Sequence, residues 1–231
     1  MLETGRILRG VVAVAAVATF TVACSDDDPA PDPGLVTVDT VRNALLKATD
    51  VGPTWKAPAE SAAADRLVSL CGADSEAAAV PGGPQVVAAP LSDEGPGGVQ
   101  SLTQYGLVYE DAVSAATAVA TLRTVAEACA PSVQRPAKTG DREEPAYTET
   151  ASTSPLEQDA WIGFVTVRNK QYDKANPATA DTAVAVLSRS NVVLVEQYAV
   201  YRLGASSASA NPQFSQDWQK LIGTTLKRVT A

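Results

Sequence analysis

The sequence predicts a single α+β domain in which an antiparallel β-sheet of about five to six strands packs against three to four helices. The first observation is a series of segments with alternating apolar and polar residues in the second half of the chain. Two of them are separated only by residues 189–191, a length typical of a tight hairpin. The second is that stretches with apolar residues at helical spacing precede and follow this series. The third is a length of 231 residues, 45% of them hydrophobic, which suits one folded domain with short appendages.

In the first half of the chain, helical spacing and alternation predict two helices followed by two strands. Val41, Leu45 and Ala48 share one face of the first helix, which Gly52 and Pro53 end. The predicted helices cover residues 38–49 and 60–71, and the predicted strands cover residues 85–91, as a short edge strand, and 100–109.

The second half is predicted to contain a long helix, four strands and a closing helix. Glu110 and Asp111 favour a helix start through the helix dipole, and Pro131 ends that helix. Asn211 and Pro212 are predicted to be the cap and the first residue of the closing helix. Because hairpin-linked strands form an antiparallel sheet, we expect the amphipathic helices to bury their apolar stripes on one of its faces. The predicted segments are a helix over 110–130, a loop over 132–145, strands over 146–152, 160–168, 180–188 and 192–202, and a helix over 212–229.

Residues 1–23 are predicted to be a secretory signal. Arg6 and Arg9 precede an apolar run over residues 11–23, which is shorter than the roughly 20 residues that a helix needs to cross a bilayer. The end of this run, followed by Cys24, resembles the lipobox of bacterial lipoproteins, in which the cysteine is acylated and becomes the mature N-terminus. We therefore predict that a diacylglyceryl group on Cys24 holds the protein on the outer face of the cell membrane. The alternative is a free cysteine inside the apolar region of the signal.

Residues 24–37 are predicted to be an acidic, proline-rich tether. The stretch after Cys24 contains three consecutive aspartates and three prolines. Such a segment buries too little apolar surface to fold, and its prolines keep it extended. The folded α+β domain is therefore expected over residues 38–231.

The composition excludes several classes of function. The chain has no histidine, which removes Ser-His-Asp triads, Cys-His pairs and histidine-ligated metals. The sequence has no nucleophile-elbow, phosphate-loop or dinucleotide-binding motif. A net charge of −8 argues against a nucleic-acid partner, because binding phosphates requires clustered Lys and Arg. We expect a protein that is not an enzyme and has no catalytic residue, metal site or cofactor.

The three cysteines are predicted to have two roles. With Cys24 acylated, Cys71 and Cys129 remain, and an even pair in an exported domain favours a disulfide. Two separate free thiols are the alternative.

Five residues are candidate ligand contacts. Glu196 lies in a strongly apolar strand candidate and needs a partner or a wet surface, and Arg168 and Arg202 could pair with it across the sheet. Tyrosines suit recognition surfaces because an aromatic body carries a polar tip. Ordinary sheet packing for the tyrosines, and a solvent-facing position for the acid, are the alternatives. The candidates are Tyr105, Tyr109, Arg168, Glu196 and Tyr198.

Several local sequence patterns follow one another along the chain in an order that is also found in a known group of proteins. They are the stretch 45–52 with Trp55 after it, Cys71 followed by glycine, the stretch 109–112 leading into a helix that ends at Cys129, and the late apolar stretch 192–195. Together they resemble actinobacterial sensor-domain lipoproteins related to the extracellular domain of the PknH-type serine/threonine kinases. The resemblance covers about residues 38–229 and implies an antiparallel sheet packed with helices beside a cleft for a ligand. No kinase catalytic segment accompanies it.

These observations predict a membrane-anchored, extracytoplasmic lipoprotein that acts as a non-catalytic ligand-binding or sensor module of the cell envelope. The expected ligand is small and apolar or amphiphilic. The alternative hypothesis is a structural or protein-interaction lipoprotein that docks onto an envelope protein complex.

Overall fold

A seven-stranded antiparallel sheet organises the domain in the computed structural model. The structure describes residues 34–58, 66–72, 75–95, 98–139, 143–173, 178–204 and 212–230. The strands are β1 (Gln85–Gly95), β2 (Gly98–Val108), β3 (Ser132–Arg135), β4 (Tyr147–Gln158), β5 (Trp161–Tyr172), β6 (Ala178–Arg189) and β7 (Val192–Leu203). The helices are α1 (Val38–Ala44), α2 (Ala48–Val51), α3 (Ala112–Glu127) and α4 (Pro212–Val229).

The order of the strands in the sheet is β1-β2-β7-β6-β5-β4-β3. Strands β3 to β7 follow one another as an antiparallel meander, and the β1–β2 hairpin adds to the free side of β7. The β2–β7 register places Gln104 opposite Glu196. This pairing joins two halves of the chain that lie about ninety positions apart, and it builds the floor of the site described below.

The count of seven strands corrects the prediction of five to six. The additional strand, β3, lies inside residues 132–145, which were predicted to be a loop. It pairs with β4 from Ser132↔Thr150 to Arg135↔Tyr147. Its side chains are exposed or only half-buried, so it lacks the apolar alternation by which a strand is recognised.

Helices cover both faces of the sheet, which corrects the expectation that they share one. Helices α1 and α4 pack against one face, which we call the α4 face, with Leu194 and Tyr198 of β7. Helix α3 packs against the opposite α3 face with Val193 and Val195 of the same strand. Because β7 is central and buried on both sides, its residues from Val192 to Glu196 are all buried, and its sequence reads as an apolar run.

The predicted helix over 38–49 is broken into α1 and α2. At the break the Leu46 N–H donates to Gln104 Oε1 at 2.9 Å, and Gln104 Nε2 donates to the Leu46 carbonyl at 3.1 Å. Gln104 is 1% exposed. A buried amide that meets both the N–H and the carbonyl of one residue replaces the hydrogen bonds that a continuous helix would have made there.

The predicted helix over 60–71 is wrong for its described part. Arg66 forms a bridge with Ala79, and the Leu67 N–H donates to the Ala78 carbonyl. Residues 60–65 lie outside the described residues. The segment's two leucines, Leu67 and Leu70, are buried in the core under α3, so apolar burial rather than helix formation explains their spacing.

The predicted disulfide is confirmed. Cys71 and Cys129 are bonded, with their Cα atoms 5.1 Å apart and 58 positions apart in sequence. The bond joins the segment before β1 to the chain just beyond α3.

The domain begins at a contact between its N-terminal segment and the β6–β7 turn. Asn191 Oδ1 accepts from the Val36 N–H at 2.8 Å, and its Nδ2 donates to the carbonyls of Val36 and Tyr109 at 3.0 and 2.9 Å. Residues 32–231 form one compact unit. The predicted signal over 1–23 and the predicted lipidation site Cys24 lie outside the described residues.

Helix α4 has the bounds predicted for it. Its buried stripe contains Phe214, Trp218, Ile222 and Leu226, which follow one another at helical spacing. The predicted cap, Asn211, is outside the described residues. Among the described helices, α4 included, none has both the length and the hydropathy required to cross a bilayer.

Candidate functional site

A groove runs over β2 and β7 between α4 and the segment that includes α2 and Trp55. It consists of two adjoining cavities of about 330 and 220 Å³. Gln100, Tyr198 and Asp217 line both of them. The groove is therefore one continuous depression whose centre is formed by these three side chains.

Tyr198 is the central side chain of the groove. Its hydroxyl donates to Gln100 Oε1 at 2.7 Å, and its ring stacks on Phe214 of α4, with centroids 5.5 Å apart and planes 14° apart. Burial, assisted by the negative charge of Asp217, raises the pKa of Tyr198 to about 12. The phenol therefore stays neutral and acts as a hydrogen-bond donor at physiological pH.

The larger cavity is polar and is lined by Asp93, Arg202, Gln213 and Asp217. Asp93 accepts from the Thr54 hydroxyl at 3.0 Å, and Asp217 accepts from Gln213 Nε2 at 2.8 Å. Arg202 Nη2 donates to Asp181 at 2.9 Å. The buried Arg202 Nε–H has no hydrogen-bond partner within the described structure. The cavity therefore offers carboxylate acceptors to a ligand, whereas the Arg202 Nε–H is enclosed by the protein.

The smaller cavity combines apolar and polar walls. Leu46, Val51, Trp55 and Leu221 are its apolar lining residues, and Asp50, Lys220 and Thr224 are polar ones. Two backbone hydrogen bonds between Lys56 and Ser92, at 2.8 and 2.9 Å, hold the Trp55 segment against β1.

An ion pair joins the two walls of the smaller cavity. Arg228 of α4 donates two hydrogen bonds to Asp50 of α2, at 2.9 and 3.0 Å. The hydrogen bonds from Arg228 are the main reason why the pKa of Asp50 is lowered to about 2. The pair ties α2 to α4, although both side chains remain partly exposed.

Of the five predicted contact residues, Tyr198 alone lines this groove. Glu196 lies on the same face of the same strand but is buried beneath α4, where it accepts a hydrogen bond from the Thr225 hydroxyl at 3.2 Å. The predicted pairing of Glu196 with Arg168 or Arg202 is wrong. Arg202 binds Asp181, and Arg168 points to the opposite face of the sheet, with Nη1 3.8 Å from Glu149 Oε1. Burial raises the pKa of Glu196 to about 8.

Tyr105, Tyr109 and Arg168 lie on the α3 face and do not join Tyr198. The Tyr109 hydroxyl donates to the Pro81 carbonyl at 2.8 Å, and its side chain lines a separate cavity of about 280 Å³ beside the start of α3. Tyr105 is half-buried and packs against the core under α3. Arg168 is buried. The alternation of strand residues thus divides the five candidates between two sides of the sheet.

Sequence reasoning missed Gln100, Asp217 and Asp93 as parts of the site. Each is a common polar residue with no local signal, because a polar side chain beside an apolar stripe usually faces solvent. Trp55 could have been selected from the sequence, because it belongs to the patterns that resemble the sensor-domain lipoproteins. Gln100 could have been found only from the β2–β7 register, which places Leu102 opposite Tyr198.

The groove offers hydrogen bonds and apolar contacts. Within the described part of the chain, no cluster of three or more Asp, Glu or Cys side chains is close enough to hold a metal ion. A concave, partly apolar surface with a few converging polar groups is typical of small-molecule sites in proteins.

Comparison with solved structures identifies the architecture. The crystal structure of the extracellular domain of PknH from Mycobacterium tuberculosis matches 84% of this chain and 98% of its own length, with a TM-score of 0.50 and 15% sequence identity. The chain has the fold of the PknH extracellular domain. The PknH-like resemblance predicted from the sequence is confirmed at the level of the fold. No protein-family model and no curated protein sequence matches the chain.

Proposed function

We propose that this protein is a membrane-anchored, extracytoplasmic lipoprotein that binds a small apolar or amphiphilic ligand as a non-catalytic sensor module of the cell envelope. The observation that carries the proposal is the groove around Tyr198, in which apolar side chains such as Trp55 and Leu221 lie beside charged and hydrogen-bonding ones. A ligand with an apolar part and a polar part would contact both.

The extracytoplasmic location is supported by two independent features. The similar PknH structure is that of an extracellular domain, and the pair Cys71–Cys129 is bonded, as is typical of proteins in oxidising compartments. The N-terminal sequence ending at Cys24 supplies the proposed export signal and the proposed lipid anchor.

The position of the groove suits a tethered receptor. The N-terminal segment joins the domain at Asn191, where β7 begins. The polar cavity is lined by Val200, Tyr201 and Arg202, where β7 ends. A chain anchored through Cys24 would therefore meet the domain at the end opposite this cavity, leaving the cavity open to the surroundings.

The anchor is tested by Cys24→Ser in the full chain. The native protein is expected in the membrane fraction and labelled by palmitate, whereas the variant is expected to lose the label and to enter the soluble fraction. Labelling of the variant equal to that of the native protein would overturn the anchor.

Ligand binding is tested by native mass spectrometry of protein purified from its own membrane. Thr224→Trp places an indole in the smaller cavity, which Thr224 lines. The matched control is Thr117→Trp on the exposed side of α3, where the threonine makes the same hydrogen bond to the carbonyl four residues earlier, at 2.8 Å in both cases. A co-purified molecule is expected in the native protein and the control and not in Thr224→Trp. Empty spectra of the native protein would contradict the proposal.

A second candidate function is docking onto an envelope protein complex through the outer face of α3. Val113 is 76% exposed there, and the hydroxyls of Thr117, Thr121 and Thr124 donate back to carbonyls of their own helix, at 2.8, 2.9 and 3.1 Å. These threonines therefore present methyl groups outward. A photo-crosslinker at Ala120 in intact cells is expected to capture one defined envelope protein if this candidate is correct, and one at Gln216 on α4 is the control. A monomer without crosslinks at either position would contradict docking.

A further inference from the structure

We propose that the groove selects amphiphiles whose head group donates hydrogen bonds and carries no negative charge. This inference rests on the proposed function and names the chemical class of the ligand. It is carried by the apolar side chains Trp55 and Leu221 at one end of the groove and by two carboxylates, Asp93 and Asp217, that form no ion pair among the described residues.

The hydrogen bond between Tyr198 and Gln100 lies where the two cavities of the groove adjoin. On one side lies the cavity of about 330 Å³ that contains Asp93, Arg202 and Asp217. On the other side lies the cavity of about 220 Å³ with Trp55 and Leu221 in its walls. A head group bound in the first cavity would extend its tail past the Tyr198–Gln100 pair into the second.

Negative charge dominates the larger cavity. Asp93 and Asp217 each accept a hydrogen bond from a neutral group, and neither has an ion-pair partner among the described residues. Arg202, the cation among the described residues of the larger cavity, is already paired with Asp181, and Lys220 belongs to the lining of the smaller cavity. A sulfate or phosphate head would meet two carboxylates with little compensation, and repulsion between like charges is stronger in a cleft than in open water.

The hydrogen-bonding capacity of the cavity favours a head group rich in donors. Ionised carboxylates only accept hydrogen bonds, so Asp93 and Asp217 call for ligand O–H or N–H groups. The Gln100 Nε2 amide group calls for ligand oxygen. A polyol head, whose hydroxyls both donate and accept, meets all three groups, and a primary ammonium head meets the two carboxylates.

The test compares four amphiphiles with the same octyl tail and different heads, each below its micellar concentration. Octyl glucoside supplies hydroxyl donors, octylammonium supplies charged donors, octyltrimethylammonium supplies positive charge without donors, and octyl sulfate supplies negative charge. Binding is measured by calorimetry on the mature domain and checked by fluorescence of Trp55. Octyl glucoside or octylammonium is expected to bind at least about tenfold more tightly than octyl sulfate, and more tightly than octyltrimethylammonium.

Two variants assign the selectivity to the larger cavity. Asp217→Asn keeps the size of the side chain and removes its charge, and it is expected to raise the affinity for octyl sulfate about fivefold or more while weakening octylammonium. Glu157→Gln removes an exposed acid of β4 and is expected to change neither affinity. Thermal unfolding of both variants verifies that they fold.

The outcomes separate the inference from the proposed function. Absence of binding by all four amphiphiles would overturn the proposed function, and with it the inference. A second outcome is that the amphiphiles bind, that Thr224→Trp removes this binding, and that the affinity for octyl sulfate equals or exceeds the affinities for octyl glucoside and octylammonium. This result would overturn the inference and leave the proposed function standing. Unchanged selectivity in Asp217→Asn would equally overturn the assignment to this cavity.

Discussion

The hydroxyl of Thr225 on α4 donates a hydrogen bond to Glu196 Oε2 on β7 at 3.2 Å, in the interior between helix and sheet. The same hydroxyl lies 3.4 Å from Gln104 Oε1 and 3.4 Å from the Leu221 carbonyl oxygen, so one proton faces three acceptors. Glu196 is 4% exposed, and a single neutral donor stabilises a buried carboxylate poorly. This environment explains why Glu196 keeps its proton at neutral pH.

Replacing Glu196 by glutamine is expected to stabilise the protein at neutral pH. The pKa of Glu196 in the folded protein is raised from 4.5 to about 8, so between these values the folded state holds a proton that the unfolded state has released. The free energy of unfolding of the native protein therefore falls as pH rises from about 4.5 to 8. The free energy of unfolding of Glu196→Gln at pH 7 is expected to be roughly 2–3 kcal/mol higher than that of the native protein, and it should depend less on pH in this window.

Urea unfolding at several pH values measures this effect. Glu157→Gln, an exposed acid, serves as the control and is expected to follow the native curve. If the free energy of unfolding of Glu196→Gln changes with pH from 5 to 8 in the same way as that of the native protein, the buried acid is ionised and this account is wrong.

Replacing Gln104 by leucine is expected to destabilise the protein, although leucine is apolar and similar in size. The side chain of Gln104 meets both the N–H and the carbonyl of Leu46, and its loss would leave these two groups without that partner. Unsatisfied buried groups cost about 1–3 kcal/mol each, so a loss of about 2–4 kcal/mol is expected in urea unfolding. Hydrogen exchange at the Leu46 amide should accelerate. Gln197→Leu, a half-buried glutamine on the α3 face, is the matched control, and equal losses in both variants would contradict the specific role of Gln104.

Removal of the Cys71–Cys129 bond is expected to lower stability through the unfolded state. The bond closes a loop of 58 residues in sequence separation, for which loop-closure entropy gives about 4 kcal/mol. The double variant Cys71→Ser with Cys129→Ser should show a lower urea midpoint. Mass spectrometry of the mature native protein should find neither cysteine alkylated without reduction. Two alkylatable cysteines would show that the bond does not form.

Replacing Ala160 by glycine is expected to stabilise the β4–β5 hairpin. Asp159 and Ala160 form its two-residue turn, with φ of 49° and 66°, a left-handed conformation that costs a residue with a Cβ about 1–2 kcal/mol. An Asp-Gly pair is preferred in such turns. Because glycine also gains freedom in the unfolded chain, a net gain of about 0.5–1 kcal/mol is expected in thermal unfolding. The control Ala151→Gly, inside β4, is expected to lower the stability. A loss of stability in both variants would contradict the explanation based on the turn.

The sequence predicted those elements whose signals are local. The apolar stripe of α4 predicted its bounds, 212–229. The alternation of apolar and polar residues predicted the ends of β5, β6 and β7 to within a few residues. The disulfide followed from the count of cysteines. The edge strand β3 could not be predicted because exposed edge residues carry no apolar pattern. The break between α1 and α2 could not be predicted because Gln104, which causes it, lies 58 positions after Leu46.

The candidate site was predicted only in part, for the same reason. Tyr198 was selected from its strand, but the same reasoning selected Tyr105, Tyr109 and Arg168, which lie on the other side of the sheet. Which face a residue occupies depends on the register and on the helix packed over it, and neither is contained in a strand's own pattern. Gln100 and Asp217 became recognisable only when β2 and α4 were placed around β7.

The sequence by itself therefore determined the class of fold, most of its strands, the helices α3 and α4, the pairing of two cysteines and the exclusion of histidine chemistry, since composition and short-range periodicity are properties of the chain alone. The tertiary structure decided the strand order, the break between α1 and α2, the division of the helices between two faces, the protonation of Glu196 and the union of Gln100, Tyr198 and Asp217 in one groove. These features depend on contacts between separate elements, such as Glu196 with Thr225, 29 positions apart, and Gln100 with Tyr198, 98 positions apart, and such contacts exist only after the chain has folded.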